Sequence, residues 1–224
     1  MILPVSNLID RYMAIIKWPV AIVAVAMLPG ASMAFLHLLS QIAVRPQSLL
    51  PFVMGGLIWL GVWLLFVRHS RLSFLLTFEH ELTHAIFAWL TFHRVVGLRV
   101  TLTKGGQISI VGRGNWLITI APYFWPTASL LVILATWFWP PGYRGIGQAI
   151  LGFSFAWHVT GTIYETRFSQ PDIRQVGWLF SVLFLTTANV VALASILSFA
   201  HQGMNGLSDF FAQVTRHTLE LYRF

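Results

Sequence analysis

The sequence predicts an all-α polytopic membrane protein with about six transmembrane helices and one membrane-associated β-hairpin. Three observations support this fold class. Of the 224 residues, 57% are hydrophobic and only 9% are charged, whereas soluble domains carry about 25% charged residues. The basic residues lie at the ends of apolar runs, where lysine and arginine flank membrane spans. Several of the ten tryptophans lie near the same ends, as in an interfacial aromatic belt.

The net charge of +7 would suggest a nucleic-acid partner in a soluble domain. Because the basic residues flank apolar runs, we expect the lipid bilayer as a partner instead, and no nucleic acid. The chain has no cysteine, which excludes disulfides and thiolate metal sites.

Six apolar runs come close to the roughly 20 residues that a membrane helix needs. Pro29-Gly30 predicts a kink in the first run, and Pro140-Pro141-Gly142 and Gln170-Pro171-Asp172 separate later runs. The predicted spans are 18–42, 49–67, 72–92, 116–139, 146–168 and 177–200.

Residues 95–111 alternate between apolar and polar side chains around a turn at Lys104-Gly105-Gly106. This pattern predicts a β-hairpin. Its edge could accept an extended peptide as an added strand, along Gly105, Gly106, Gln107 and Ile108. The alternative is a surface hairpin with no ligand.

The C-terminal stretch 207–223 has apolar residues at helical spacing, which predicts an amphipathic interfacial helix; a frayed tail is the alternative. The sequence thus divides into two accessory transmembrane helices (1–71), a core with the hairpin (72–200) and an interfacial tail (201–224).

Four of the seven acidic residues fall in the middle of the chain: Glu79, Glu81, Glu165 and Asp172. A carboxylate inside a membrane domain costs about 2.5–3.5 kcal/mol on insertion scales. Such residues therefore mark a function by default.

The segment 80–84 reads His-Glu-Leu-Thr-His, the HExxH pattern. On a helix, His80 and His84 share a face and can bind one zinc ion, while Glu81 can take a proton from a water molecule. Chance gives such a match roughly once in a hundred chains of this composition. The alternative is a set of polar residues hydrogen-bonded within a helix bundle.

A catalytic zinc site needs a third protein ligand. His158, Glu165 and Asp172 are spaced seven apart, which is nearly two helical turns, so they would lie along one face. The spacing leaves all three open as ligands, and hydrogen bonding between packed spans is the other explanation for a polar stripe.

Three motifs follow one another along the chain: HELTH at 80–84, KGGQISI at 104–110 and SQPDI at 169–173. In the order of these motifs the chain resembles the site-2 protease family of intramembrane zinc metalloproteases. The resemblance implies that Asp172 is the third ligand. Glu165 and His158 are then alternative ligands, or they orient the ligands or bind the oxyanion. Glu79 orients the ligands or pairs with an arginine, unless it only fills an interior hydrogen bond. The chain departs from the family at Thr83, Gln170 and Ile173.

The resemblance implies an enzyme that hydrolyses membrane-anchored protein substrates with zinc as cofactor and Glu81 as the catalytic base. The small size of the chain and its first two predicted spans suggest a multi-pass protein of a prokaryotic inner membrane. Two alternatives remain: a divalent-metal transporter, and a catalytically inactive relative that binds membrane proteins. A di-iron oxygenase would need histidine clusters that eight scattered histidines do not supply.

Overall fold

The computed structural model describes residues 5–67, 74–101, 105–136, 138–166 and 170–223. These residues form mostly helices, joined by short 3-10 and π turns, and one two-stranded antiparallel sheet. The elements are α1 (Val5–Val44), α2 (Leu50–Val62), α3 (Phe74–Leu90), β1 (Val95–Thr101), β2 (Gly105–Ile110), α4 (Trp116–Ile120), α5 (Thr127–Thr136), α6 (Arg144–Glu165), α7 (Pro171–Val176) and α8 (Trp178–Leu221).

Three helical segments in the described residues are long and apolar enough to cross a membrane, or four if the bent pair of α4 and α5 counts as one span. The three are α1, the segment Pro46–Val67 and α8. The six predicted spans are therefore not shown. The predicted spans 72–92 and 146–168 correspond to α3 and α6, in which ionisable side chains lower the hydropathy. The described part of α3 also has only 17 residues.

The predicted span 116–139 is broken. The helices on either side of the break, Trp116–Tyr123 and Thr127–Thr136, are bent by 76°. Pro122 and Pro126 lie at this bend, and each lacks the N–H that would continue a helical hydrogen-bond ladder. The start of α4 is fixed by Asn115, whose side chain accepts a hydrogen bond from the Ile118 N–H.

The first and last helices are longer than predicted. The helix α1 has 40 residues and contains both Pro19 and Pro29. In α8 the predicted sixth span continues into the predicted tail through a kink, where Gln202 and Gly203 have non-helical backbone angles. The tail is helical as expected, and its Phe210 and Val214 belong to a buried cluster with α1 side chains. The interfacial position of the tail remains a prediction.

The helices α2 and α6 approach each other at backbone distance. A Cβ added at Gly55 would overlap the carbonyl of Ala149, and one added at Gly152 would overlap the carbonyl of Phe52. Such reciprocal contacts need glycine on both helices. Together with the packing of α1 along α8, they place the predicted accessory helices directly against the rest of the bundle. The division into three regions remains a prediction.

The predicted hairpin is confirmed. Strands β1 and β2 pair antiparallel, with Arg99 opposite Gln107 and Thr101 opposite Gly105. Residues 102–104, which include Lys104 of the predicted turn, lie outside the described residues. Both strands pack against α3, so the hairpin rests on the helix that carries the HExxH motif.

An aromatic core holds α4 and α8 together near this helix. The ring of Trp116 meets Phe180 edge-on at 5.0 Å between centroids, and Phe180 stacks on Phe184 at 5.7 Å. Phe87 of α3 and Ile173 of α7 belong to the same buried cluster. This packing brings α4 and α7 beside α3.

Candidate metal centre

The helix α3 and the first turn of α7 together form a candidate metal site. His80 and His84 lie four residues apart, and their ring centroids are 4.7 Å apart. Each Nε2 atom is 3.4 Å from the same oxygen, Oδ2 of Asp172. The candidate ligand atoms all lie within 4.8 Å of one another, so this group could hold a metal ion.

The spacing of these atoms fits a small divalent ion. Two atoms that each lie about 2.1 Å from zinc at a tetrahedral angle are about 3.4 Å apart. The chemistry fits too, because imidazole nitrogens and a carboxylate oxygen are usual zinc ligands. The same donors also suit iron(II), so the geometry supports a metal site without specifying zinc.

The orientation of His84 is set by a backbone group. Its Nδ1 donates a hydrogen bond to the Ile118 carbonyl at 2.7 Å. The lone pair of Nε2 is therefore directed at the site, as metal-binding histidines require. Ile118 lies in α4, which Asn115 caps. Sequence reasoning missed this contact, because a carbonyl oxygen is not marked by any residue type.

Tyr123 is a second contact that sequence reasoning missed. Its hydroxyl donates to Oδ2 of Asp172 at 3.1 Å, and its ring meets the His80 ring edge-on at 5.1 Å. Burial would raise the pKa of Asp172, but the neighbouring His80 and His84 rings outweigh burial and hold that pKa well below its usual range. The carboxyl is therefore ionised and available as a ligand at neutral pH.

Glu81 lies beside the first histidine and is 7% exposed. It lines a groove of about 730 Å³ together with His80, His84, Asp172 and the residues Gly105, Gly106, Gln107 and Ile108 of β2. A Cβ added at Gly106 would overlap Glu81 Cγ and come within 2.8 Å of Thr77 Cγ2. The predicted substrate strand and the predicted base are therefore in direct contact.

The other three candidate residues lie outside the group of ligand atoms. Glu165 also lines the groove, where it accepts hydrogen bonds from the Thr77 hydroxyl at 3.2 Å and from Gln170 Nε2 at 3.3 Å. The side chain of Glu79 lies on the other side of α3, where its Oε1 is 3.8 Å from Nδ1 of His158 in α6. Their predicted roles as ligands or orienting groups remain predictions.

Comparisons of the chain with protein-family models, curated proteins and solved structures found no match. Function is therefore inferred from the residues of the site itself.

Proposed function

We propose that this chain is an intramembrane metalloprotease of the site-2 protease type, which hydrolyses membrane-anchored proteins with zinc as cofactor. The observation that carries the proposal is the convergence of His80, His84 and Asp172 beside Glu81 in a groove lined by a β-strand. The ligand set alone is compatible with simple metal binding. The adjacent carboxylate and strand favour hydrolysis of an extended peptide.

Each residue has a specific task in this proposal. His80 and His84 would hold the ion through Nε2, and Asp172 through Oδ2. When bound, zinc supplies a Lewis acid that polarises the scissile carbonyl and acidifies water. Glu81 accepts a proton from the attacking water through a carboxylate oxygen and returns it to the departing amide nitrogen.

The residues around the ligands keep them in place. The Ile118 carbonyl holds Nδ1 of His84, and the Tyr123 hydroxyl holds Asp172 on the side of the histidine rings. Such contacts orient ligands and are often worth ten- to a hundredfold in metal affinity.

The substrate in this proposal is a membrane-anchored protein that becomes extended at the cleavage site. An extended segment can pair with the backbone of β2 while its carbonyl lies beside the ligands. A multi-pass position in a prokaryotic inner membrane belongs to the same proposal. Its membrane association is supported by the three to four helices among the described residues that are long and apolar enough to span a membrane.

A metal transporter is the alternative from another class. Transport requires successive sites along a path, and the described residues contain a single group of His, Asp and Glu side chains that could hold an ion. A catalytically inactive relative would keep the metal and lack cleavage, so it is separated from the protease by experiment.

The test compares two Glu→Gln substitutions on the same helix. Purified protein in mild detergent is loaded with zinc and given quenched fluorescent peptides that carry an apolar core. We expect Glu81→Gln to retain the metal and to lose cleavage by at least about a hundredfold. Glu79→Gln is the control, because its amide oxygen can still accept the hydrogen bond from the Ala128 N–H.

Cleavage in Glu81→Gln at the wild-type rate would refute the mechanism. A wild-type protein that binds one metal ion and cleaves no peptide would favour the inactive relative, and two or more ions per chain would favour transport.

A further inference from the structure

The groove has a fixed direction relative to α3. Thr77 and His84 are seven residues apart on this helix, which corresponds to about 10 Å. Strand β2 runs in the same direction as this part of α3. At its start, Gly106 lies beside Thr77 and Glu81. At its end, Ile110 lies beside Gly114, and Gly114 is also next to Ile118. The Ile118 carbonyl accepts a hydrogen bond from His84 Nδ1, so the end of β2 lies near His84. The groove therefore has a Thr77 end and a His84 end.

Among the described residues that line the groove, and apart from the ligand group and Glu81, Glu165 is the charged residue at the Thr77 end and Arg113 the charged residue at the His84 end. Glu165 contacts Thr77, and the described residues that donate to its carboxylate are Thr77 and Gln170, whose side chains are uncharged. Arg113 precedes Gly114 and lines the groove at the His84 end. Among the described lining residues, Arg113 is the only lysine or arginine. Its exposed guanidinium has no hydrogen bond or ion pair with the described residues.

We infer that the groove selects extended segments by charge: an acidic side chain at the Arg113 end and a basic side chain at the Glu165 end. The inference rests on the proposed function, because it names the substrate of the same site. At about 3.3 Å per residue, an extended segment crosses the 10 Å between the two ends in three to four residues.

The direction of the segment follows from the strand. Strand β2 lines the groove, and among the described residues it pairs with β1 on one edge only, so its other edge can accept an added strand. Antiparallel pairing is the more stable arrangement per residue. A segment antiparallel to β2 runs from the Arg113 end to the Glu165 end. The preferred substrate therefore reads acidic residue, apolar core, basic residue from its N-terminus.

Peptide binding tests this inference separately from cleavage. Two fluorescent peptides share a core of two apolar residues, which separates the flanking charges by about 10 Å; one has Glu before and Lys after the core, and the other has the reverse order. Anisotropy gives their affinities for zinc-loaded protein in the Glu81→Gln background, which prevents consumption of the peptide. Cleavage of both peptides by the wild-type protein is followed in parallel.

We expect the Glu-first peptide to bind about threefold to tenfold more tightly at low salt, as for two partly exposed ion pairs. Salt near 0.5 M should remove most of this difference. Arg113→Glu should reduce the preference, and Arg113→Glu combined with Glu165→Arg should reverse it. Arg144→Glu, a charge reversal of an exposed residue outside the groove, should leave it unchanged.

Equal affinities for the two peptides, tighter binding of the Lys-first peptide, or a preference that survives Arg113→Glu would overturn the inference. Absence of cleavage in the wild-type protein would count against the proposed protease and would leave the binding comparison valid.

Discussion

The helix α3 has two polar faces that differ in what their polar groups contact. On one face, His80 and His84 direct nitrogen atoms at Asp172 beside a groove of about 730 Å³. On the other face, Glu79 accepts from the Ala128 N–H at 3.2 Å, and Thr83 shares a hydrogen bond of 2.6 Å with Thr127. The cavity behind this second face is only about 10 Å³.

This difference separates a binding site from a structural contact. The polar atoms of the second face are used by hydrogen bonds between α3 and α5, which stabilise the packing of buried groups. Those of the first face converge on a point that a divalent ion would fit. Ionisable residues in an apolar bundle thus indicate a function where several of their ligand atoms converge on one point.

Removal of Asp172 should give the largest effect on the metal site. Asp172→Ala deletes the only carboxylate of the group, so we expect metal affinity to fall more than about a hundredfold. Metal content per chain, measured by mass spectrometry after chelator-free purification, also identifies the metal. Asp209→Ala, which removes a partner of Gln41 in α1, should keep one ion per chain. An unchanged metal content in Asp172→Ala would move the third ligand to Glu165 or His158.

A change at Gly106 should affect cleavage and leave the metal in place. The added Cβ of Gly106→Ala would displace Glu81 or β2, and a displacement of about 1 Å can cost a hundredfold in rate. We expect peptide cleavage to fall by about ten- to a hundredfold at unchanged metal content. Gly145→Ala is the matched control, because a Cβ there meets nothing within 4 Å. If both variants cleave equally well, contact between β2 and Glu81 is irrelevant to the reaction.

Substitutions on the second face of α3 should change the free energy of unfolding and leave the metal site unchanged. Thr83→Val leaves the buried Thr127 hydroxyl without its partner, which costs about 1–3 kcal/mol. Denaturant unfolding in detergent micelles would measure this loss, with the exposed Thr215→Val as control. The double variant Thr83→Val, Thr127→Val should recover most of it, because neither polar group then remains. Loss of the metal in Thr83→Val would show that the two faces are coupled.

The sequence predicted part of this site. His80 and His84 follow from helical spacing, since residues four apart share a face. Asp172 came from the order of motifs, because its approach to α3 depends on the packing of α7 and not on any local pattern. No residue type in the sequence marks the Ile118 carbonyl as a hydrogen-bond partner. The contact of Tyr123 with Asp172 depends on the bend between α4 and α5, where Pro122 and Pro126 lie.

The fold was predicted unevenly for a similar reason. Alternation of residues and a Gly-Gly turn are local signals, and they located the hairpin correctly. The span count relied on apolar runs of about 20 residues. Polar and ionisable positions lower the hydropathy of α3 and α6, so these two helices are not among the described segments that are long and apolar enough to cross a membrane. The sequence predicted a helix over 207–223 but not that it continues α8, because the non-helical Gln202 and Gly203 lie between the two parts.

The glycine contacts between α2 and α6 affect how a minimal version of the protein can be defined. The motifs of the site all lie after residue 74, which suggests that residues 1–71 could be deleted. Yet Gly55 and Gly152 allow the two backbones to touch, and removal of α2 would expose the bare backbone of α6 to lipid. Because α6 leads directly to the segment that holds Asp172, the smallest autonomous unit should begin before Leu50.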